Sequence, residues 1–237
     1  AAGGLSSANS IDVRPFTTDT PNTDTITGGA GNDLFKYYDM ATLDTADTIN
    51  GNGGTDSLIL YAAGAAHLYT VEQSISNSDI LYAGGATCGL WKSEDKGLHW
   101  NPLFDTELII NEVYSLEIDF LNPDIVYFSS DSDLYRSLDG GESYELLYEL
   151  SFIKDLVFKS DDNNILYICG SEGLYKLNIL ENNLETLLFG DILELELHPN
   201  NTSIIYTIKQ SGNKTEFLKS IDNGENFLVY NNGWPNP

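Results

Sequence analysis

The stretch NPDIVYFSSDSDLYRSLDGGESY, residues 122–144, contains the features from which the fold of this chain can be inferred. A polar turn precedes an apolar tripeptide that ends in Tyr127, and a second apolar segment leads to the basic residue Arg136. A Ser-x-Asp-x-Gly turn then leads to an aromatic residue. The same order of features recurs at a period of about 40 residues, as expected of a protein built from repeated supersecondary units.

Four repeats can be aligned on tripeptides of the form Ile-hydrophobic-Tyr, which begin at residues 80, 125, 165 and 204. Each tripeptide is followed by an apolar segment with a basic residue: GLWKS (89–93), DLYRS (133–137), GLYKL (173–177) and EFLKS (216–220). Segments such as YSLEIDF (114–120) and ILELELH (192–198) alternate with the period of two that is typical of strands. Four strands in about 40 residues predict an all-β chain with four four-stranded, propeller-like blades. The predicted units span about 78–122, 123–162, 163–200 and 201–237.

Three of the four units contain the pattern Ser-x-Asp-x-Gly-x-x-aromatic, and the third unit lacks it at residues 177–185. The pattern predicts a closed hairpin, in which the Asp accepts backbone N–H groups, the Gly takes a left-handed conformation and the aromatic ring packs beneath. The residues are Ser93, Asp95, Gly97 and Trp100; Ser137, Asp139, Gly141 and Tyr144; and Ser220, Asp222, Gly224 and Phe227.

This pattern resembles the Asp-box (BNR) repeat of sialidases, sortilin-type receptors, some glycoside hydrolases and photosystem assembly factors. The resemblance implies a β-propeller but does not identify a function, because the box fastens a hairpin and the active sites of the family lie elsewhere. Such propellers usually have more than four blades. The visible blades therefore form part of a larger wheel, a tight four-bladed ring, or an open array whose strand edges invite pairing between subunits.

Two glycine-rich turns precede the repeats, in the stretches GGAGNDLFK (28–36) and GNGGTDSLI (51–59). They superimpose at an offset of 23 residues, which matches Asp33 with Asp56. Glycine permits the backbone conformation that lets carbonyl groups converge, and Ca²⁺ binds clusters of carbonyl and carboxylate oxygens. The alternative is a pair of ordinary glycine-rich turns without a metal.

The first stretch resembles the G-G-x-G-x-D-x-hydrophobic-x nonapeptide of RTX (hemolysin-type) calcium-binding repeats, and the second matches with Asn52 in place of a glycine. The resemblance implies a short parallel β-roll over residues 23–61 in a secreted bacterial protein. It differs from the family in having two nonapeptides, separated by 14 residues. By resemblance, calcium would be held by Asp33 and Asp56 and by carbonyl groups of glycines, with two further aspartates as candidate partners. The residues beyond Asp33 and Asp56 are Gly28, Gly29, Gly31, Gly51, Gly54, Asp24 and Asp47.

The composition is strongly acidic, with 36 Asp and Glu against 11 Lys and Arg and a formal charge of −25 in 237 residues. Such a chain repels phosphate backbones, so nucleic acid is not an expected partner, and the longest apolar run, about residues 58–66, is too short to insert into a membrane. Residues 1–22 are predicted to be a tail or linker, and residues 62–77 a bridge. The chain begins at Ala1 without a visible signal peptide, which suggests a mature or excised segment of a longer protein. Cys88 and Cys169 either pair or remain separate buried thiols.

No catalytic motif can be assigned from the sequence. A sialidase binds its substrate carboxylate with three arginines, and this chain has only Arg14 and Arg136. The three histidines are scattered, and neither HExxH nor GxSxG is present. A glycosidase needs two neighbouring carboxyl groups, which cannot be located among 36 acidic residues.

The sequence therefore predicts a non-enzymatic, secreted or cell-surface module that is ordered by calcium and serves in a bacterial surface layer, filament or adhesin. The expected partners are further copies of the chain, in an oligomer or polymer, and a protein or glycan ligand. One alternative is a fragment of a carbohydrate-active, glycoside hydrolase-like propeller. Another is a sortilin-like propeller that binds peptides. A cleft with facing carboxylates and exposed Trp or Tyr side chains would favour the enzyme.

Overall fold

The chain divides into two units, residues 1–66 and 67–237. The computed structural model describes residues 67–86, 89–103, 110, 112–130 and 132–231, although not the side chain of His67. In the first unit it describes Gly31 and the backbone of five short strands. All regular structure in these residues is β-strand. No helix in this part of the chain is long and apolar enough to cross a membrane.

The first unit contains two parallel sheets. One sheet joins β1, β3 and β5, and the other joins β2 and β4. Thr25 pairs with Thr48 and Leu34 pairs with Ser57, so that these paired strands are 23 residues apart, the same offset that relates the two glycine-rich stretches. The strands are β1 (Ser10–Val13), β2 (Thr25–Thr27), β3 (Leu34–Tyr37), β4 (Thr48–Asn50) and β5 (Ser57–Leu60). Strand β1, which pairs with β3, lies inside the segment predicted to be a tail.

The second unit contains four antiparallel four-stranded sheets, each formed by four strands that are consecutive in the chain. We call them blades 1 to 4. Blade 1 is β6 (His67–Gln73), β7 (Leu81–Ala86), β8 (Gly89–Ser93) and β9 (Asn101–Leu103); blade 2 is β10 (Leu116–Ile118), β11 (Val126–Ser130), β12 (Asp133–Ser137) and β13 (Glu145–Glu149). Blade 3 is β14 (Ile153–Lys159), β15 (Asp162–Gly170), β16 (Gly173–Asn178) and β17 (Asn183–Phe189); blade 4 is β18 (Ile192–Leu197), β19 (Ile205–Ser211), β20 (Lys214–Ser220) and β21 (Leu228–Val229).

The predicted repeat boundaries fall one strand late. The Ile-hydrophobic-Tyr tripeptides lead into the second strand of each blade, whereas the first strand of blade 1 lies within the predicted bridge, residues 62–77. The error arises because the tripeptides recur clearly in the sequence, whereas the first strands differ from one blade to the next. The prediction of four four-stranded blades is confirmed.

The core lies between the blades rather than at one centre. We call the face of a blade that packs on the preceding blade its front face and the face that packs on the following blade its back face, and we name the faces of blades 1 and 4 by register. In blade 2 the front face carries the buried side chains of Leu116 and Phe128, which cluster with Tyr82 and Leu90 of blade 1. The same arrangement recurs between blades 2 and 3 and between blades 3 and 4. Because successive side chains of a strand point to opposite faces, the continuous buried runs of β11 and β15 supply side chains to both faces of blades 2 and 3.

A tyrosine on the second strand of each blade pairs across the back face with a basic residue on the third strand. The pairs are Tyr82 and Lys92, Tyr127 and Arg136, Tyr167 and Lys176, and Tyr206 and Lys219. The ammonium groups of Lys92 and Lys219 lie 5.6 and 5.5 Å from the ring centroids of their tyrosines. In blades 1 and 4 the basic residue of the repeat thus covers the tyrosine with which it pairs.

Cys169 is a free thiol buried between blades 3 and 4. Burial raises the pKa of this thiol well above its ordinary range, because the thiolate would have to form in an apolar environment. Cys88 lies outside the described residues.

Candidate functional site

The first strands of the four blades lie side by side and present an unusual set of side chains. In blades 1, 3 and 4 the register with the second strand shifts at the same place, between Leu68 and Thr70, between Ile153 and Asp155, and between Ile192 and Glu194. A bulge of this kind leaves one residue outside the ladder and turns its side chain away from the regular pleat. The first strands are therefore irregular at one shared level of the array.

Three aromatic rings form a continuous strip at this level. Tyr69, the extra residue of the bulge in blade 1, stacks on Tyr114 of blade 2 with ring centroids 5.3 Å apart and planes at 9°. Tyr114 meets Phe152, which precedes blade 3, at a centroid distance of 4.9 Å. Tyr69 is 51% exposed and Phe152 is 43% exposed. We call Tyr69, Tyr114 and Phe152 the aromatic strip; it offers ring surface to solvent at the junction of three blades.

Carboxyl groups occupy the same strands. Glu72, Glu117 and Glu196 each pair with the second-strand tyrosine of their blade, and so hold equivalent positions in blades 1, 2 and 4. Asp155 and Glu194 follow the bulges in blades 3 and 4. The side chain of Ser115, which directly precedes blade 2, favours the ionised form of Asp155 and so lowers its pKa slightly. We call Glu72, Glu117, Asp155, Glu194 and Glu196 the first-strand carboxyls.

Two of these groups have strongly raised pKa values. Burial between blades, together with the negative charge of Glu72, raises the pKa of Glu117 to about 8. Burial also raises the pKa of Asp155 to about 7, and the charges of Glu194 and Glu196 add to this effect. Both shifts have the same cause, since a carboxylate that loses water and faces other carboxylates is harder to ionise. Near neutral pH the two residues can therefore retain or exchange a proton.

The charges that raise these pKa values come from the first strands of adjacent blades. The charges of Glu72 on the preceding blade and Asp155 on the following blade raise the pKa of Glu117. The charges of Glu194 and Glu196 raise the pKa of Asp155. The row thus runs across all four blades. Within the described part of the chain, no three His, Cys, Asp or Glu side chains are close enough together to form a metal site. The arrangement suits proton transfer and hydrogen bonding to a polar ligand rather than chelation.

The predicted hairpin residues are at the outer part of the blades, between the third and fourth strands. In blade 2 the Ser137 hydroxyl donates to Asp139 Oδ1 at 2.9 Å and accepts the N–H of Gly141 at 2.8 Å. The corresponding distances are 3.0 and 2.8 Å in blade 1, and 2.7 and 2.9 Å in blade 4. Gly97, Gly141 and Gly224 have φ values of 85°, 93° and 91°. The expected hydrogen bonds and left-handed glycines are therefore present in all three hairpins.

Each hairpin aspartate accepts a hydrogen bond at Oδ1 from the backbone N–H of the residue four positions later. The N–Oδ1 distances are 2.8 Å for Asp95, 3.0 Å for Asp139 and 3.0 Å for Asp222. These bonds favour the ionised form. The backbone N–H and ring of His99 lower the pKa of Asp95 to about 2, and the side chain of Asn226 with Ser220 lowers that of Asp222 to about 2. The carboxylates of the three aspartates therefore accept hydrogen bonds within their own turns, which agrees with a role in closing the hairpins.

The aromatic residues of the hairpins differ from one another. Tyr144 packs edge-on against Phe128, with centroids 5.1 Å apart, and Phe227 packs on the core between blades 3 and 4. Trp100 is half-buried and donates its indole N–H to the carbonyl oxygen of Gly97 at 3.1 Å. Each of these three rings contacts the core or its own hairpin, and none of them belongs to the aromatic strip.

The predicted calcium ligands lie almost entirely outside the described residues. These are Asp24, Gly28, Gly29, Asp33, Asp47, Gly51, Gly54 and Asp56; only Gly31 is described, as a bend before β3. The parallel pairing of the strands on either side is the arrangement that the resemblance implies. Calcium itself stays a prediction.

No protein-family model matches the chain. No curated protein matches it in sequence either. Solved structures do match the fold. The GH74 enzyme of Niastella koreensis superimposes with a TM-score of 0.59 and 20% identity, over 67% of this chain and 28% of that one. The GH74 xyloglucanase of Xanthomonas campestris has a TM-score of 0.55 and 15% identity, over 67% and 29% of the two chains.

YCF48 from Cyanidioschyzon merolae also matches, with a TM-score of 0.52, 14% identity, and coverage of 71% of this chain and 57% of that one. The fold is propeller-like. At these identities the likeness establishes the fold and nothing more. The chain spans less than a third of the length of the two GH74 proteins.

The comparisons correct the expectation that this chain is not an enzyme, because the solved structures that share its fold include GH74 glycoside hydrolases. That expectation depended on the absence of a local catalytic motif. In this architecture, neighbouring carboxyl groups come from different blades, tens of residues apart, and leave no such motif. Nothing in the comparisons supports the calcium-ordered structural or adhesive module, and the glycoside hydrolase-like alternative is better supported.

Sequence reasoning did not identify the aromatic strip or the first-strand carboxyls. Both lie partly in YSLEIDF (114–120), whose alternation marks a strand but does not show which face meets another blade. The available signal was the recurrence of an acidic residue opposite the tripeptide tyrosine, at Glu72, Glu117 and Glu196. It becomes visible only once the first strands are aligned by register.

Proposed function

We propose that the chain is a segment of a glycan-acting β-propeller of the glycoside hydrolase type, whose glycan site lies on the first strands of the blades. The observation that carries the proposal is the exposed aromatic strip on the first strands, which also carry Asp155, a carboxyl group whose pKa is raised to about 7. The two features are close in the sequence of blades 2 and 3: Phe152 lies three residues before Asp155, and Tyr114 lies directly before Ser115, whose side chain lowers the pKa of Asp155.

The aromatic strip suits a sugar because the C–H face of a pyranose ring is apolar and flat, like an aromatic ring. Tyr69 and Phe152 present half-exposed ring surface at the two ends of the strip. A site of this kind combines apolar surface with a small number of converging polar groups. The hydroxyl group of Tyr114 is held by a hydrogen bond to Glu112, which fixes the orientation of the middle ring.

The raised pKa of Asp155 suits a general acid. A glycosidase protonates the leaving-group oxygen with one carboxylic acid and uses a second carboxylate as base or nucleophile. The acid must stay protonated near neutral pH, which burial and neighbouring negative charges achieve. In this chain Asp155 takes the first role, and Glu194 on the next blade, which is exposed, supplies the second carboxylate.

Glycan binding provides the first test. In affinity electrophoresis through gels containing xyloglucan, mixed-linkage glucan or mannan, we expect at least one polysaccharide to retard the chain. The double variant Tyr69→Ala with Phe152→Ala should lose the retardation. The matched control is Tyr230→Ala, because Tyr230 is 46% exposed and lies beyond the last strand of blade 4. Absence of retardation by every glycan, or equal loss in the control, would contradict the proposal.

Hydrolysis provides the second test. Release of reducing ends from the retained polysaccharide should fall by roughly 10²-fold or more in Asp155→Asn, since loss of a general acid typically removes a factor of 10²–10⁴. Glycan retardation should persist in this variant, because Asn keeps the size and polarity of the side chain. Asp133→Asn on β12 of blade 2 serves as the control. Unchanged hydrolysis in Asp155→Asn would remove the assigned role of this residue.

A further inference from the structure

A cavity of about 150 Å³ lies in blade 3, at the end of the sheet where the hairpin pattern of the other blades is absent. A single water molecule needs about 10–15 Å³ of such space, so the cavity can hold a small organic molecule. It is lined by Ile165, Lys176, Asn178, Glu181, Asn183 and Glu185. Ile165 is buried, Lys176 and Asn178 are half-buried and the other three are exposed, so a solute can enter from solvent.

The lining includes a cation and an anion that the sheet places opposite each other. Lys176 on β16 pairs in register with Glu185 on β17, as Arg136 pairs with Glu145 in blade 2. In blade 2 the pair is closed, because Arg136 Nε donates to Glu145 Oε1 at 2.7 Å. Among the described residues, Lys176 and Glu185 form no ion pair. Two opposite charges that border a cavity, rather than each other, can each bind a group of opposite charge on one ligand.

A buried hydroxyl group on the same face of blade 3 is also unsatisfied. Tyr167 pairs with Lys176 in the ladder and is fully buried, and its hydroxyl group has no hydrogen-bond partner in the described part of the chain. The equivalent hydroxyl group in blade 1, that of Tyr82, donates to a carbonyl oxygen in the turn before β11 at 3.0 Å. Burial raises the pKa of Tyr167 to about 12, and the charges of Asp161 and Glu185 add to this effect. The hydroxyl group therefore stays protonated at neutral pH, as a donor without an acceptor.

The cavity offers donors on β16 and acceptors beyond it. Lys176 has three N–H donors. Asn178 Oδ1 accepts the backbone N–H of Glu181 at 3.2 Å, which leaves the amide NH₂ group of Asn178 to donate. The side chains of Glu181 and Glu185 provide carboxylates, which only accept. A ligand that fits presents an anionic acceptor toward β16 and a cationic donor toward the turn and β17.

We propose that this cavity binds a small zwitterion of the α-amino acid class. Its carboxylate accepts hydrogen bonds from Lys176 and Asn178, and its ammonium group donates to Glu185 and Glu181. The two charged groups of an α-amino acid are joined through one carbon atom, which suits the short separation of facing residues on paired strands. Because the lining has two carboxylates and one ammonium group, it disfavours a ligand with a second negative charge. This inference is independent of the proposed glycan function.

Isothermal titration measures the binding. It is done at about 0.15 M salt, which screens non-specific attraction of cations to a chain with a formal charge of −25. We expect glycine and L-alanine to bind saturably at one site. Acetate and methylamine each carry one of the two charged groups and should bind roughly tenfold more weakly or less, because each leaves one side of the cavity without a partner. L-glutamate should bind more weakly than L-alanine, because its second carboxylate meets Glu181 and Glu185.

Substitutions test the two charges and the space between them separately. Lys176→Met and Glu185→Gln nearly keep the length of each side chain and should each weaken the binding of L-alanine by roughly tenfold or more, because each removes one charge. Lys176→Arg keeps the charge but should also weaken binding, because the guanidinium group can reach Glu185 and close the cavity, as Arg136 closes on Glu145 in blade 2. A general attraction to this face would survive Lys176→Arg.

Lys214→Met and Glu149→Gln are the matched controls, because both residues are exposed on other blades and do not line this cavity. Circular dichroism and urea unfolding confirm that each variant is folded. The proposal is overturned if neither glycine nor L-alanine binds the wild-type chain, or if acetate, methylamine or D-glucose binds as tightly as L-alanine. It is also overturned if the folded Lys176 and Glu185 variants bind L-alanine like the wild type, or if the controls lose binding to the same extent.

Discussion

Tyr69 and Tyr114 stack in nearly parallel planes, 5.3 Å apart, although they belong to different sheets. Tyr69 reaches its partner because the register shift on β6 places it outside the ladder, and Tyr114 because it precedes the first paired residue of β10. The contact therefore joins the first strands of two blades at the level of the bulges. It is both part of the candidate glycan site and part of the junction between blades.

The first prediction concerns the energy of this stack. Replacing Tyr69 or Tyr114 by Ala should destabilise the chain, and the double variant should be less destabilised than the sum of the two single variants. The coupling energy should fall near the lower end of the range of about 0.5–1.5 kcal/mol for aromatic pairs, because Tyr69 is half-exposed. Urea unfolding of the four proteins measures it. Strict additivity would show that the rings do not stabilise one another.

The second prediction concerns pH. The pKa of Glu117 is raised to about 8 in the folded chain, from an ordinary value near 4.5. The folded state therefore binds more protons than the unfolded state between these values, and the free energy of unfolding falls as pH rises from 4.5 through 8. The contribution is fully present below 4.5 and is lost above 8. Glu117→Gln should flatten this dependence and make the variant more stable than the wild type at pH 8.

Urea midpoints at pH 5, 6, 7 and 8 give the measurement. Glu149→Gln on β13 is the matched control, because Glu149 is exposed at the edge of the same blade. Parallel curves for the wild type and Glu117→Gln would indicate that Glu117 ionises normally. Asp155→Asn should likewise flatten the pH dependence of the free energy of unfolding, but over a lower pH range that ends near pH 7.

The third prediction tests how closely the first two blades pack. A Cβ atom built on Gly84 would lie 2.3 Å from Cγ1 of Val113, which is fully buried between blades 1 and 2. Gly84→Ala should therefore destabilise the chain by about 1–3 kcal/mol, as overpacking of a core typically does. Adding Val113→Ala should recover part of the loss, because it removes the atom that clashes. Failure of the second substitution to recover stability in urea unfolding would contradict this account.

The fourth prediction concerns the hairpin of blade 2. Ser137 is fully buried and its hydroxyl group accepts the N–H of Gly141, which is also buried. Ser137→Ala leaves that donor without its partner and should cost about 1–3 kcal/mol. Ser211→Ala, at the exposed last residue of β19, should have little effect. Equal urea midpoints for the wild type and Ser137→Ala would show that the hairpin does not depend on this bond.

The sequence was sufficient to predict most of the fold, and for a clear reason. The hairpin of blade 2 requires Ser137, Asp139 and Gly141 at fixed spacing. The second strand carries Tyr127 on the back face of the blade. Because these interactions are local, they leave a sequence pattern that recurs from repeat to repeat. In the first unit, paired strands are separated by the same 23 residues that relate the two glycine-rich stretches. First strands left a weaker pattern, since their side chains are selected by contacts with the neighbouring blades, and the predicted boundaries were shifted as a result.

The candidate site could not be predicted in the same way. Glu117 and Asp155 are 38 positions apart in the chain, and they become neighbours only because β10 and β14 lie side by side. Whether a carboxyl group is buried depends on the face that the next blade covers, which period-two alternation alone does not specify. Tyr69 is brought to Tyr114 by a bulge, and a bulge has no fixed sequence signature. A search for catalytic motifs therefore led to the wrong expectation about enzymatic function.

The last prediction concerns calcium at the glycine–aspartate turns of the first unit. Isothermal titration with Ca²⁺ should give binding that is lost in Asp33→Asn with Asp56→Asn, because an amide lacks the charge that favours a hard cation. Bound calcium should also raise the unfolding temperature, because binding at a hundredfold excess over Kd adds about 2.7 kcal/mol to the free energy of unfolding. Glu181→Gln in the second unit is the control for a change of charge. If EGTA leaves the unfolding temperature unchanged and the titration shows no heat, the turns are ordinary glycine-rich connections, and the parallel strands β2 to β5 pair without a bound ion.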